Sequence, residues 1–310
     1  MAKGGAAPSE FPVPTGRGHL RVRGGEDRAW ARWDQPGPLG RVVISHGYGE
    51  HGGRYAHTAA WLNGLGWSVS AMDHRGFGLS PGIRGDAQGL RPFAEDFALF
   101  LEQERLPGLP LVVLGHSFGA LVALAALLDH PTAAEGLILS SPALVLRDYP
   151  RSVRLLRWLL LKLAPHLSLD LPNNKDLVCS DPRMVARYWA DPLCHRKVSA
   201  AFTEVFPEGY RMLLERADTF RLPMLLLEAG VDTVADPEAA APVWSRIPAN
   251  LLEKHCLDGF RHEIFHDARR AEAQDLAADW LGRHFGIRAE TPKAGRPNPG
   301  NPRAFPAMRG

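Results

Sequence analysis

The chain has 310 residues, of which 45% are hydrophobic and 23% are charged, a composition typical of an ordinary soluble globular protein. The formal net charge of +2 is too small to indicate a general phosphate-binding surface, and the sequence contains no zinc-finger or RNA-binding signature. We therefore expect no nucleic-acid partner. The length fits one large α/β domain with an insertion, or two small domains.

Cysteine usage and the absence of targeting signals indicate the compartment. Cys179, Cys194 and Cys256 lie far apart and form no CxxC pair, which is typical of a reducing environment. The chain does not begin with an apolar signal segment, and its longest apolar stretch, residues 118–128, is shorter than the about 20 residues that a membrane-spanning helix needs. We expect a cytoplasmic protein, either free or peripheral to a membrane.

Short apolar strands alternate with segments of helical period between two Gly- and Pro-rich ends, residues 1–17 and 288–310, which are predicted to be disordered tails. In chain order the predicted elements are strands His19–Arg23, Ala29–Asp34 and Arg41–Ser45, helix Tyr55–Gly64, strand Trp67–Met72, helix Pro92–Leu106, strand Leu111–Leu114, helix Phe118–Leu128, strand Gly136–Leu139, strand Met224–Leu227, helix Pro237–Ile247, strand Leu251–Cys256 and helix Arg269–Phe285. Such alternation predicts a mostly parallel eight-stranded sheet, opened by a hairpin, with helices on both faces.

Residues 143–222 interrupt this alternation because they contain no clear buried strand. We interpret them as a helical lid inserted into a core formed by residues 18–142 and 223–287. Within the lid, Arg151–Leu163 has an amphipathic pattern. Its basic residues are Arg151, Arg154, Arg157 and Lys162, and its apolar face contains Val153, Leu155, Leu156, Leu159, Leu160 and Leu163. Such a helix can lie on a lipid surface and gate an acyl tunnel, or it can pack its apolar face on the core, and both hold if that face lines the acyl pocket.

A nucleophile is predicted at Ser117, in the G-x-S-x-G pentapeptide Gly115–Gly119. The pentapeptide lies directly between a predicted strand and a predicted helix, the context of the nucleophile elbow of the α/β-hydrolase fold. In that turn, strand and helix come so close that side chains at positions 115 and 119 would collide, so both are glycine. The fold class predicted is therefore an α/β-hydrolase.

A serine nucleophile requires a base and a group that orients the base, which in this fold follow in the order acid, then histidine. Asp232 follows strand Met224–Leu227 and is the predicted acid, whereas Asp236 directly precedes Pro237 and resembles a helix N-cap. His262 follows a glycine turn after strand Leu251–Cys256 and is the predicted base. Two other histidines compete less well: His255 lies within the strand, and His266 is predicted to begin the final helix.

The oxyanion of a tetrahedral intermediate needs two N–H donors. The predicted donors are the backbone N–H groups of Phe118, which follows the nucleophile, and Tyr48, in the Gly-rich loop after strand Arg41–Ser45. Gly47, together with His46 and His116, is predicted to contact substrate. The spacing of His46, His51 and His57 matches no metal-ligand pattern, so we expect neither a metal nor another cofactor.

Several motifs together resemble one family. His46–Tyr55 is similar to the HGxGEHxxRY signature of the monoacylglycerol lipase and lysophospholipase group, also known as serine aminopeptidase S33-like hydrolases. Other matching segments are Asp73–Ser80 (D-x-R-G-x-G-x-S), Gly115–Gly119 (GHSxG), Ser140–Ala143, Asp181-Pro182, Tyr188–Pro192, Asp232 with Asp236, and Gly259–Glu263. The resemblance extends from about Gly18 to Phe285.

This resemblance implies a carboxylic ester hydrolase of the EC 3.1.1 type that acts on lipid-like esters, with Ser117, Asp232 and His262 as the triad. Phe118 and Ala120 replace the family's usual Met and Gly, and Tyr48 replaces a small residue, so we expect these differences to alter the pocket and its substrate and not the chemistry. An aminopeptidase or an acyltransferase would use the same triad, and a non-catalytic ligand-binding relative is a third alternative.

Overall fold

The alternation of strands and helices produces one twisted sheet in the computed structural model, which describes residues 11–148, 150–170 and 178–286. Over these ranges the sheet has eight strands, which lie side by side in the order Gly16–Arg21, Asp27–Trp33, Ser68–Met72, Arg41–Ser45, Leu111–His116, Gly136–Ser140, Met224–Ala229 and Leu252–Leu257. The second of these, Asp27–Trp33, is antiparallel to both of its neighbours, and all the other pairs are parallel. The predicted fold class, an α/β-hydrolase with a mostly parallel eight-stranded sheet, is confirmed.

Most element boundaries agree with the prediction within a few residues. The sheet strands are β1 (Gly16–Arg21), β2 (Asp27–Trp33), β3 (Arg41–Ser45), β4 (Ser68–Met72), β5 (Leu111–His116), β6 (Gly136–Ser140), β9 (Met224–Ala229) and β10 (Leu252–Leu257). The helices of the core are α1 (Ala56–Gly64), α2 (Arg91–Glu104), α3 (Phe118–Asp129), α8 (Pro237–Trp244) and α9 (Arg270–Phe285).

Both faces of the sheet are buried, as parallel sheets require. Successive residues of β3 alternate between two apolar layers: Val43 faces a cluster with Phe97 of α2, and Val42 faces a cluster with Trp280 of α9. This packing brings the carboxyl ends of the parallel strands to one edge, where an open α/β sheet binds its ligands.

The inserted segment, residues 143–222, lies between β6 and β9. Its described elements are α4 (Arg151–Leu163), β7 (Leu169–Asp170), α5 (Pro182–Ala190), β8 (Lys197–Val198), α6 (Ala200–Thr203) and α7 (Val205–Arg216). β7 and β8 form a small antiparallel pair that the sequence did not reveal, because two-residue strands carry no periodic pattern.

The predicted N-terminal tail is wrong for residues 11–17. β1 begins at Gly16, and Phe11 packs on His57 with a ring-centroid distance of 5.7 Å. The guanidinium of Arg187 in α5 lies 3.8 Å from the centre of the Phe11 ring. Composition alone indicated disorder there because Gly and Pro dominate the segment. Residues 1–10 and 288–310 lie outside the described part of the chain.

No helix in the described ranges is both long and apolar enough to cross a membrane.

Candidate active site

Ser117 lies in the turn between β5 and α3, with the unusual backbone angles φ 54° and ψ −120°. A Cβ atom at Gly119 would lie 2.2 Å from the carbonyl oxygen of Ser45, and one at Gly115 would lie 2.7 Å from the Cα of Ala120. The strained serine is therefore maintained by a strand and a helix that approach too closely for any side chain at these two positions.

Three side chains from separate loops meet at this turn. Nε2 of His262 lies 2.8 Å from Oγ of Ser117, and Nδ1 of His262 lies 2.8 and 3.0 Å from the two carboxylate oxygens of Asp232. All three residues are buried. The structure thus brings together the predicted nucleophile, base and acid in the geometry that a serine hydrolase requires.

The carboxylate of Asp232 is held ionised. Burial raises its pKa, but the charge of His262, the hydrogen bond from His262 and two backbone N–H donors, of Val234 and Ala235 at 2.8 and 2.9 Å, together bring that pKa below its ordinary value. An ionised Asp232 fixes the imidazole so that Nε2 faces Ser117.

Asp236, His255 and His266, the alternatives for the acid and the base, make other contacts. Asp236 caps α8, because its carboxylate accepts the Ala239 N–H at 3.1 Å. His255 lies in β10 and is hydrogen-bonded to Glu253. The prediction that His266 begins the last helix is wrong. It ends a 3₁₀ turn, Ile264–His266, and is buried beside Glu50.

The two predicted oxyanion donors belong to Phe118, the residue after the serine, and to Tyr48, which lines the same cavity as the serine. Phe118 is the first residue of α3, where a backbone N–H has no acceptor within its own helix. Gly47 and Tyr48 line the cavity above Ser117. Among the residues predicted to contact substrate, Gly47 and His116 line this cavity, and the His116 ring lies 5.1 Å from that of His262.

His46 does not line the cavity, contrary to its predicted contact with substrate. It is fully buried behind the loop, where Nε2 accepts the His74 N–H at 3.0 Å and Nδ1 donates to the Gly47 carbonyl at 2.8 Å. Since the C=O and N–H of a trans peptide point in opposite directions, this bond turns the Tyr48 N–H away from His46. His46 therefore positions the loop.

A buried ionic network behind the cavity escaped the sequence prediction. Arg54 donates hydrogen bonds to Glu50 and to Glu263, the latter at 3.1 Å, and all three side chains are buried. Burial raises the pKa of Glu50, but the charge of Arg54 holds that pKa well below its ordinary value. Glu50 also accepts the Gly47 N–H at 2.7 Å. The network thus joins the glycine-rich loop to the loop of His262, and its only signal in the sequence is the GEHxxRY run.

The cavity above Ser117 has a volume of about 260 Å³ and is lined by both polar and apolar groups. Its polar lining includes Glu50, Arg196 and Glu263. Its apolar lining comes largely from the inserted segment and includes Leu146, Val198, Phe202 and Phe206. A second cavity of about 440 Å³, lined by Arg154 and Arg157 of α4 among others, shares Leu146, Thr203 and Phe206 with the first, so the two cavities are neighbours.

The apolar face of α4 does not pack on the core. Leu155, Trp158 and Leu163 are 59%, 55% and 80% exposed, and α4 contains no buried residue. Its inward side is partly polar, since Arg157 donates hydrogen bonds to Thr203 and Glu204. Of the two interpretations of this helix, core packing is therefore wrong.

One group of side chains has the composition of a metal site. The potential ligand atoms of His51, Asp191 and Cys194 all lie within 4.8 Å of one another. The Gly53 N–H donates to Nδ1 of His51 at 3.2 Å, so in the neutral ring Nε2 carries the proton and donates it to Asp191 at 2.9 Å. A metal ion at Nε2 would have to displace that proton. We therefore interpret the His51–Asp191 contact as a hydrogen-bonded pair.

Comparison with known proteins identifies the family. The family model described as serine aminopeptidase, S33 matches residues 36–269, a range that contains the serine, the aspartate and the histidine. The chain belongs to the S33 hydrolase family.

Relatives of this S33 hydrolase include proteins named as lipases. It is 31% identical over 252 residues to the monoacylglycerol lipase of Mycolicibacterium smegmatis. The matched region covers 80% of this chain and 90% of that protein. It is 32% identical over 242 residues to the monoglyceride lipase of Rattus norvegicus, covering 75% and 78% of the two chains. The crystal structure of the Paleococcus ferrophilus monoacylglycerol lipase superposes with a TM-score of 0.73 at 29% identity, covering 83% of this chain and 99% of that one. This S33 hydrolase is an enzyme, a serine hydrolase of the carboxylic ester class.

Proposed function

We propose that this S33 hydrolase cleaves lipid esters with one acyl chain, monoacylglycerols or lysophospholipids, through an acyl-enzyme on Ser117. The observation that carries the proposal is the continuous hydrogen-bonded chain from Asp232 through His262 to Ser117, which opens into a cavity lined by both apolar and polar side chains. Apolar lining suits an acyl chain, and a few polar groups suit a glycerol or phosphoglycerol group. Relatives named monoacylglycerol lipase support the same substrate class.

The reaction has two halves. His262 takes the proton of Ser117 as Oγ attacks the ester carbonyl, and Asp232 stabilises the imidazolium that forms. The N–H groups of Tyr48 and Phe118 bind the oxyanion of the tetrahedral intermediate. The C–O bond to the alcohol then breaks, and the alcohol leaves with the proton from His262. Water, deprotonated by His262, releases the fatty acid and restores Ser117.

Hydrolysis of peptides is less well supported by this cavity. An aminopeptidase needs a carboxylate for the substrate's ammonium group. Glu50 and Glu263 line the cavity, but each is paired with the buried Arg54. The site therefore favours esters over aminoacyl amides.

We further propose that α4 contacts lipid surfaces. Leu155, Leu159 and Leu163 are exposed on one side of the helix, and Arg151 and Lys162 carry positive charge beside them. This arrangement matches a helix that lies in a membrane interface and interacts with anionic headgroups. The second cavity opens beneath this helix, so a lipid could enter without crossing bulk water.

The proposal is tested with Ser117→Ala, with Ser245→Ala as the control because Ser245 is an exposed residue at the end of α8. We expect Ser117→Ala to lose about 10⁴-fold or more of the kcat of wild type on p-nitrophenyl butyrate and on a long-chain monoacylglycerol. A fluorophosphonate probe should label wild type and Ser245→Ala, but not Ser117→Ala. Full esterase activity in Ser117→Ala, or faster turnover of aminoacyl nitroanilides than of esters by wild type, would contradict the proposal.

A further inference from the structure

The loop that carries the Tyr48 N–H contacts the inserted segment as well as the core. On the core side, the carboxylate of Glu50 accepts the Gly47 N–H, and Nδ1 of His46 donates to the Gly47 carbonyl. On the other side, the His195 N–H donates to the Gly49 carbonyl at 3.0 Å, and Nε2 of His51 donates to Asp191 at 2.9 Å. Both partners on that side belong to residues 191–197, which run from the end of α5 to the first residue of β8 and are here called the bracing segment.

A further contact connects the two chain segments, because the Tyr48 hydroxyl donates to the Lys197 carbonyl. Within the inserted segment, the Tyr188 hydroxyl of α5 donates to the His195 carbonyl at 3.0 Å and so holds the bracing segment in place. Gly49 has a φ of 74°, and a Cβ atom there would lie 2.6 Å from the His195 carbonyl oxygen. The backbone of the bracing segment therefore lies directly against the backbone of the loop, which leaves little room for either to move alone.

We propose that the bracing segment positions the Tyr48 N–H for oxyanion binding, and that Asp191 is the positioning residue that fixes the bracing segment to the loop through His51. This inference rests on the proposed esterase function. On the core side, His46 and Glu50 fix the residue directly before Tyr48, whereas the contacts of Gly49 and His51 with the bracing segment add a second attachment after it. If the backbone is fixed on both sides of Tyr48, its N–H group already points in one direction before the oxyanion forms. No free energy is then needed to reorient this N–H group in the transition state.

Asp191 suits this task because it joins two chain segments at once. One carboxylate oxygen accepts from His51, and the other accepts the Leu193 N–H at 2.9 Å. Asparagine in its place has one acceptor oxygen, so it could still accept the proton of His51 but not the Leu193 N–H as well, whereas alanine could accept neither. A comparison of these two variants therefore separates the loss of the His51 hydrogen bond from the loss of the charge and of the Leu193 hydrogen bond.

A matched control is available at a second contact between the core and the inserted segment. Nδ1 of His166 lies 3.1 Å from the Asp86 carboxylate, so it too joins a histidine to an aspartate across this boundary. Neither residue lines the cavity above Ser117. His166→Ala therefore weakens the attachment of the inserted segment without touching the loop of Tyr48.

The experiment compares wild type, Asp191→Ala, Asp191→Asn and His166→Ala on p-nitrophenyl butyrate. We expect Asp191→Ala to lower kcat by about 10-fold or more at nearly unchanged KM, because a donor out of position weakens transition-state binding. Asp191→Asn should keep most of the kcat, and His166→Ala should match wild type. An unchanged kcat in Asp191→Ala, a change in KM alone, or an equal loss in His166→Ala would overturn the inference.

Backbone hydrogen exchange gives a readout that does not depend on activity. The peptide spanning residues 46–51 should exchange faster in Asp191→Ala than in wild type, with no change in His166→Ala. Equal exchange in all the proteins would overturn the inference even if the wild type is a normal esterase. Wild type without any esterase activity would instead contradict the proposed function.

Discussion

Ser117, His262 and Asp232 illustrate how single residues acquire chemistry from their surroundings. A serine hydroxyl is a weak nucleophile, and this one lies 2.8 Å from an imidazole nitrogen whose ring is fixed by a buried carboxylate. Asp236 lies only four positions after Asp232 in the sequence, yet its carboxylate caps a helix. The two aspartates therefore provide a matched pair of variants.

Asp232→Asn should lower kcat by about 10⁴-fold, because an amide no longer stabilises the imidazolium and favours the wrong tautomer of His262. Asp236→Asn should keep wild-type kcat, since asparagine is an equally good N-cap. Steady-state kinetics on p-nitrophenyl butyrate measure both. If Asp236→Asn proved the more damaging of the two substitutions, the assignment of the acid would be wrong.

Buried histidines make the fold sensitive to acid. Burial, reinforced by the charge of His266, lowers the pKa of His57 from its ordinary 6.5 to about 3. Below pH 6.5 the unfolded chain therefore binds a proton at His57, whereas the folded chain does not bind it until the pH falls to about 3. As the pH falls from 6.5 to about 3, one such histidine should lower the free energy of unfolding by roughly 1.4 kcal/mol per pH unit. Above pH 6.5 the histidine is neutral in both states, so it should not change the free energy of unfolding.

Urea unfolding at several pH values between 7.5 and 4.5 tests this expectation. His57→Gln removes one of the buried histidines, so its stability should decline less steeply with falling pH than that of wild type. The His57 side chain donates to the Phe265 carbonyl at 2.9 Å, a bond that glutamine can also make. Identical slopes for the two proteins would contradict the assignment.

Among the elements, α4 differs most from the others because its apolar residues face outward. A helix on a sheet normally turns its apolar stripe toward the core. In this chain the core is already covered without α4, and the inward side of the helix instead carries the polar contact of Arg157 with Thr203. The exposed leucines are therefore available to a lipid surface.

The double variant Leu155→Glu/Leu163→Glu should bind anionic phospholipid vesicles about 10-fold or more weakly than wild type. Burial of each leucine side chain in the lipid contributes up to about 1.5 to 3 kcal/mol to the free energy of binding. Val13→Glu is the control, because Val13 is 82% exposed but lies far from α4 in sequence. Co-sedimentation measures binding, and hydrolysis of p-nitrophenyl butyrate should be unchanged in both. Equal vesicle binding by all three proteins would exclude α4 as the contact.

At the scale of the whole molecule, the core supplies Ser117, Asp232 and His262, and the inserted segment supplies most of the apolar lining of the cavity above them. Phe206 of α7 lines both cavities, and this shared boundary is here called the junction. In the proposed function, a long acyl chain attached to Ser117 passes this ring to reach the second cavity. We therefore expect selection for chain length to depend on the junction and not on the triad.

Phe206→Trp should narrow the junction and reduce kcat/KM for long-chain monoacylglycerols at least 10-fold, while kcat/KM for butyrate esters stays within about 2-fold of wild type. Phe220→Trp is the matched control, because Phe220 is also buried but lines neither cavity. Overpacking costs about 1 to 3 kcal/mol of stability in either variant. A uniform loss across chain lengths would contradict the proposed route.

The sequence by itself determined the strand order along the chain, the strained turn at Ser117 and the choice of Asp232 over Asp236. Each of these depends on local rules: alternation of apolar runs, glycines that flank a serine, and a proline that marks a helix start. The boundaries of β3 agree to the residue because five consecutive residues are buried between two helical layers.

Only the tertiary structure decided the interactions between distant segments. It placed His46 behind the loop, exposed the apolar face of α4, buried His266 beside Glu50, and joined His51 to Asp191 across 140 positions. The composition of residues 11–17 likewise concealed the packing of Phe11. These outcomes depend on which surfaces meet after folding, and a periodic pattern specifies that a face is apolar but not which partner covers it.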